Sequence, residues 1–180
     1  QAAYNDSIVY VFGGRAGITM QEQAMNDLWK LDCSGAPGTE TWSLVTPDLE
    51  KGDAPPEERS FHKMLCVGSS LYVFGGCSAN HGRLADIHRF DVVNNTWHNM
   101  GASPILRGRG GATLLTFSKE KLLGVVAGFC GEESNDGNMF NLETGKWEEK
   151  DLAPELEGLR PRSVCVSGSF PSAGVSVIFG

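Results

Sequence analysis

Four times along this chain a short run of consecutive aliphatic and aromatic residues ends on glycine. The runs are IVYVFGG (8–14), LYVFGG (71–76), LLGVVAG (122–128) and VSVIFG (175–180). Apolar residues at nearly every position, rather than at every second one, predict strands covered on both faces. The closing glycines let the backbone turn where a side chain would clash. The glycines at 14, 76, 128 and 180 recur at intervals of 62, 52 and 52 residues. A period near 50 made of short strands predicts a propeller-type array.

Polar positions repeat in the same register. After its glycines the first unit carries LWKLD (28–32) and Trp42, the second IHRFD (87–91) and Trp97, the third NMFN (138–141) and Trp147. Six residues separate Asp91 from Trp97 and Asn141 from Trp147, bridged by Asn94-Asn95 and Thr144-Gly145, which predicts hairpin turns. CSGAPGTET (33–41) reads as the same hairpin with an inserted Gly/Pro loop. Ahead of the apolar runs stand arginine-headed segments, RSFHKMLCV (59–67), RGGATLLTF (109–117) and RSVCVSG (162–168). The expected unit is therefore a four-stranded antiparallel blade. The expected boundaries are 1–54 for a blade lacking most of its inner strand, 55–104 and 105–155 for complete blades, and 156–180 for half a blade. We read this as an incomplete fragment of a longer propeller. Trp42, Trp97 and Trp147 are expected to anchor neighbouring blades, each burying on the order of 200 Å². Trp29 shares the column of His88 and Asn138 and is no anchor.

Arginine heads, glycine doublets, spaced aspartates and tryptophans together resemble the kelch repeat over essentially the whole chain. The resemblance implies an all-β, kelch-type β-propeller with the arginine-headed strand innermost. It thereby places Arg59, Arg109 and Arg162 around the mouth of a central channel. Guanidinium forks on such a rim suit carboxylate, sulfate or phosphate; the competing expectation is that they bond carbonyls of the adjacent blade. Arg107 makes the third head doubly basic. Among kelch proteins, RSFHKMLCVGSSLYVFGG (59–76), RLADIHRFDVVNNTW (83–97), RGRGGA (107–112) and RPRSVCVSG (160–168) are similar to the plant specifier proteins (nitrile-specifier, thiocyanate-forming, epithiospecifier) and their non-plant relatives. That similarity implies Fe(II) and a glucosinolate aglycone, with Arg59 receiving the sulfate, Arg109 beside it, and the iron ligands past Gly180. The third unit departs from the pattern, with AG for the doublet and a short GEESNDG loop.

Composition narrows the partners. The net charge of −7 argues against nucleic acid. No run is long enough to span a bilayer, and the first residues lack the regions of a signal peptide. Five cysteines, an odd number without close pairing, suit free thiols in a reducing, cytoplasmic setting. His62, His81, His88 and His98 show no metal-ligand spacing, and His62 is expected to pack on the strand face opposite Arg59. Cys66 and Cys165 read as core residues. GRGGA (108–112) leads into a strand rather than a phosphate-binding helix. GEESND (131–136) gathers three acids in a loop, either a weak cation site or simply solvated. No nucleophile, base and orienting acid can be assembled, so no catalytic residue, metal or cofactor is expected within these residues. Two functions remain: a binding scaffold with an arginine-lined mouth for an anionic ligand or partner protein, and an iron-dependent specifier-like lyase. If the arginines serve a ligand, replacing Arg59 should leave stability nearly unchanged.

Overall fold

The computed structural model describes residues 2–5, 7–17, 23–117, 119, 121–170 and 172–180. Three antiparallel sheets of four strands follow one another, each a meander in chain order. The first holds β1 (Ala2–Asn5), β2 (Ile8–Arg15), β3 (Ala24–Asp32) and β4 (Thr41–Leu44). The second holds β5 (Lys63–Val67), β6 (Ser70–Ser78), β7 (Gly82–Asp91) and β8 (Thr96–Ala102). The third holds β9 (Thr113–Phe117), β10 (Leu122–Phe129), β11 (Glu133–Asn141) and β12 (Lys146–Trp147). A two-stranded sheet of β13 (Val166–Phe170) and β14 (Val175–Phe179) comes last. The first unit, whose head lacks an arginine, still pairs all of β1 with β2. A one-turn 3-10 helix at Ala153–Leu156 is the sole helix among the described residues. First strands of successive sheets approach one another, which makes them the innermost.

The predicted hairpins close as their polar residues require. The Asp91 carboxylate accepts the backbone N–H groups of Val93 and Asn94 at 3.0 and 2.9 Å, and the Asn141 side chain those of Glu143 and Thr144 at 3.0 Å each. Asp32 does the same for Ser34 at 3.0 Å. A short side-chain acceptor at the end of the third strand thus fixes each turn.

The glycine doublets mark bulges. Pairing between second and third strands slips at Phe12/Gly14, Phe74/Gly76 and Val126/Gly128. The first position of each doublet has a left-handed backbone, φ 55° at Gly13, 61° at Gly75 and 61° at Ala127. A Cβ on Gly75 would stand 2.8 Å from the Arg109 carbonyl oxygen and 3.0 Å from that of Leu84. The bulge therefore makes room for the arginine of the next unit.

Between sheets, the buried Trp97 and the half-buried Trp147 each meet the phenylalanine that precedes the glycines of the unit before it. Trp97 lies 5.1 Å from Phe12 of the first sheet and 5.0 Å from Phe90 of its own. Trp147 lies 5.8 Å from Phe74 and 5.3 Å from Phe140. Trp42 is 56% exposed among the described residues. Replacing Trp97 by alanine is expected to cost about 3–5 kcal/mol in denaturant unfolding, and Trp42→Ala less than about 1 kcal/mol. Equal losses would show that the two residues are equally packed.

Candidate functional site

The arginine heads are held twice, once by backbone and once by side chain. Arg59 N–H donates to Met25 O at 3.1 Å while Gly14 N–H donates to Arg59 O at 2.9 Å. The same pair of bonds joins Arg109 to Leu84 and Gly76 (2.9 and 2.8 Å), and Arg162 to Ser134 and Gly128 (3.1 and 2.9 Å). Each arginine peptide is thus inserted between the second and third strands of the preceding sheet. Its side chain then turns into its own unit. Nε donates to the carbonyl two residues back, that of Glu57, Arg107 or Arg160, at 3.0 Å in each case. Nη1 donates to the first-glycine position: Gly75 O at 3.0 Å, Ala127 O at 3.1 Å and Gly180 O at 2.7 Å.

Two of the three guanidinium groups are also forked onto carboxylates. Arg59 donates to Asp86 at 2.8 and 2.9 Å, and Arg109 to Asp136 at 2.5 and 3.0 Å. Both arginines are 0% exposed. With four of five N–H donors spent in each, Arg59 and Arg109 present no open guanidinium face. Arg162 is half-buried, held through Arg160 and Gly180. Sequence reasoning missed Asp86 and Asp136. Their signal is a column five residues before Asp91 and Asn141, matched by Asp27 before Asp32. Burial by itself raises the Asp86 carboxyl, but hydrogen bonds from His88 and Arg59 overcome it and hold it well below the usual range. Asp136 is lowered against its burial in the same way by Arg109 and Ser134.

The acidic run at 131–136 is not a solvated loop. Most of it is β11, and its acids have partners: Glu132 takes Arg107 at 3.0 Å, Glu133 takes the Ser163 hydroxyl at 3.1 Å, and Asp136 takes Arg109. Among the described residues no three His, Cys, Asp or Glu side chains come together as a metal site. All five cysteines are free thiols. No helix of the described residues is long and apolar enough to cross a membrane.

Two residues past each arginine the backbone becomes left-handed, with φ 56° at Phe61, 62° at Gly111 and 56° at Val164. Phe61 is 42% and Val164 69% exposed. With Cys77, Arg83, Phe129 and Glu133 they line a largely apolar cleft of about 290 Å³, where the second, third and fourth sheets meet. Arg83 stacks 4.8 Å above the Phe129 ring, and Arg15 lies 5.0 Å above Phe61. This cleft escaped sequence reasoning. Glycine at position 111 was the one mark of the backbone shape that Phe61 and Val164 share.

A family model described as the KLHDC2/KLHL20/DRC7 Kelch-repeats domain matches residues 1–180. The chain is 33% identical over 87 residues to the leucine-zipper-like transcriptional regulator 1 homolog of Drosophila melanogaster, covering 48% of this chain and 8% of that protein. It is 33% identical over 104 residues to kelch domain-containing protein 10 of Homo sapiens, covering 57% and 21%. Against acyl-CoA-binding domain-containing protein 4 of Arabidopsis thaliana it is 30% identical over 114 residues, covering 62% and 16%. The matched stretches thus span about a fifth or less of these relatives.

His62, three residues after Arg59, is 1% exposed and packs 5.4 Å from the Phe12 ring. Burial, assisted by the charge of Arg59, pushes its imidazole down to about 3. The unfolded chain, with a histidine near 6.5, therefore binds more protons than the fold between about pH 6.5 and 3. Stability from this group is complete above that window and falls as pH drops through it, by on the order of 1.4 kcal/mol per pH unit. The depressed Asp86 and Asp136 act with the same sign, below the ordinary carboxylate range. Urea unfolding at about pH 6 and about pH 5 is expected to show this loss in the parent chain and not in His62→Ala. Parallel losses in both would contradict a buried, neutral His62.

Proposed function

The chain belongs to the kelch-repeat family, and on that premise we propose that it is a protein-interaction scaffold whose partner docks at the Phe61–Val164 cleft. The observation that carries this reading is the backbone of those two residues. A left-handed conformation costs a bulky L-residue roughly 1–2 kcal/mol, and glycine stands in the same column at Gly111. Strain of this kind persists where surrounding structure enforces it, and it clusters where side chains act on something else. Here it turns two apolar side chains outward over a concave surface.

The partner segment is an apolar side chain next to an acidic group. The apolar group enters between Phe61, Phe129 and Val164, while the carboxylate meets Arg83, which is exposed at the rim. The anion-binding part of the expected mouth thus passes from Arg59 and Arg109 to Arg83. A second reading, the iron-dependent specifier-like lyase, draws on the resemblance at Arg59 and Arg109. It requires guanidinium donors to spare for a sulfate, whereas both groups are buried and forked. The scaffold is the better-supported function.

Selection of displayed peptides on the parent chain is expected to enrich an apolar residue beside an acidic one. Phe61→Ala and Arg83→Ala should each weaken the selected peptides at least tenfold, about 1.4 kcal/mol. Val164→Gly should lose binding too, yet keep stability within about 1 kcal/mol of the parent, because relief of strain offsets the added chain entropy. Peptides that bind all three variants as they bind the parent would overturn the assignment.

A further inference from the structure

A second cleft, of about 380 Å³, shares no lining residue with the first. Its walls are Asp53, Pro56, Glu57, Asp86, His88 and Asn99, with the buried Arg59 behind Asp86. The segment around Pro56 connects the first and second sheets and is tied to β3, where Asn26 Nδ2 donates to Pro56 O at 3.3 Å. Four charged groups face it: Asp53, Glu57 and Asp86 are acidic, and Arg59 is basic; Glu57 is already paired with His81 at 2.9 Å and Asp86 with Arg59 at 2.8 Å, which leaves Asp53 without a cation partner among the described residues. The cleft thus carries an excess of negative charge.

His88 supplies the second observation. It is 6% exposed, its Nε2 lies 2.7 Å from the Asp86 carboxylate, and its Nδ1 is buried without a partner. Asp86 can only accept from it, so Nε2 carries the proton and Nδ1 of the neutral ring is a lone-pair acceptor. The equivalent column in the neighbouring sheets leaves no side-chain polar atom without a partner. Trp29 gives its one polar hydrogen to Asp27 at 2.6 Å, and Asn138 spends its amide on Ser103 at 3.0 Å and its oxygen on the Met139 N–H at 2.7 Å. A buried acceptor left unpaired is costly, and His88 is one of the residues that line this cleft. Asp53 is exposed and uses one carboxylate oxygen, on Asn99 N–H at 2.7 Å, leaving the other available.

From this arrangement we infer that the cleft receives the lysine or arginine side chain of a protein partner, an N–H of the cation donating to His88 Nδ1 while its charge is balanced by Asp53. The complementarity is of sign and of hydrogen-bond sense together: the site lacks a donor and holds a surplus anion. It is independent of docking at the Phe61–Val164 cleft.

The test is a titration of the chain with N-acetyl-arginine amide and its neutral isostere N-acetyl-citrulline amide, read by NMR at the His88 ring nitrogens and the Asp53 amide. Blocked ends make the probe a side chain within a peptide rather than a free amino acid. The arginine probe is expected to move the His88 Nδ1 resonance and to bind at least tenfold more tightly than citrulline. Asp53→Asn and His88→Asn should each weaken it about tenfold; the second keeps an amide donor for Asp86, as Asn is already accommodated in this column at Asn138. Peptides selected on the other cleft should bind both variants unchanged, which separates the two assignments. No shift at His88 or Asp53, an equal response to citrulline, or equal affinity in both variants would overturn the inference.

Discussion

The structure depends on a buried arginine that belongs to two sheets at once. Its peptide bonds complete the bulge of the sheet before it, through Arg59 to Met25 and Gly14 and through Arg109 to Leu84 and Gly76. Its guanidinium is then fixed inside its own sheet by a carbonyl and a carboxylate. A lysine would carry the charge without the planar fork that satisfies several acceptors in fixed directions. Removing either partner would leave an uncompensated charge in the interior, which typically costs about 3–5 kcal/mol. The bulge glycines, the first-strand heads and the Asp86/Asp136 column are all consequences of this one tie.

The tie also explains how one short segment carries both architecture and recognition. At the arginine itself every atom is committed to packing and hydrogen bonds. Three residues on, His62, Ala112 and Cys165 are buried against the preceding sheet. Between them, the left-handed turn sets Phe61 and Val164 outward, while Gly111 in the same position is buried and packs closely on Val164. The His88 column shows the same principle away from the inner strands: Trp29 and Asn138 close their hydrogen bonds locally, and His88 keeps one acceptor in reserve.

Much of this was legible in the sequence, because it rests on local chemistry. Unbroken apolar runs gave the covered strands β6 and β10, but not β14, where Val175, Val177 and Phe179 are exposed; Asp91 and Asn141 gave the hairpins, and the spacing of Trp97 and Trp147 gave the contacts between sheets. The fate of the arginines was not, since their burial is decided by carboxylates 27 residues away that only the fold brings near. The run at 131–136 read as a loop because glutamate, serine and aspartate favour solvent. Within β11, Asp136 accepts from Arg109 and Glu133 from the Ser163 hydroxyl. Both clefts stayed hidden for a related reason: each is assembled from residues of different sheets or of the segment linking them, and no single stretch of chain records it.

Native-state hydrogen exchange in the Arg109→Lys variant tests the central claim most directly, because the Gly76 amide donates to Arg109 O while the Gly14 amide donates to Arg59 O. If the fork onto Asp136 holds the sheets together, protection at Gly76 falls at least tenfold and protection at Gly14 is retained. Unchanged protection at both amides would contradict the account and return Arg109 to the role of a charge awaiting a ligand.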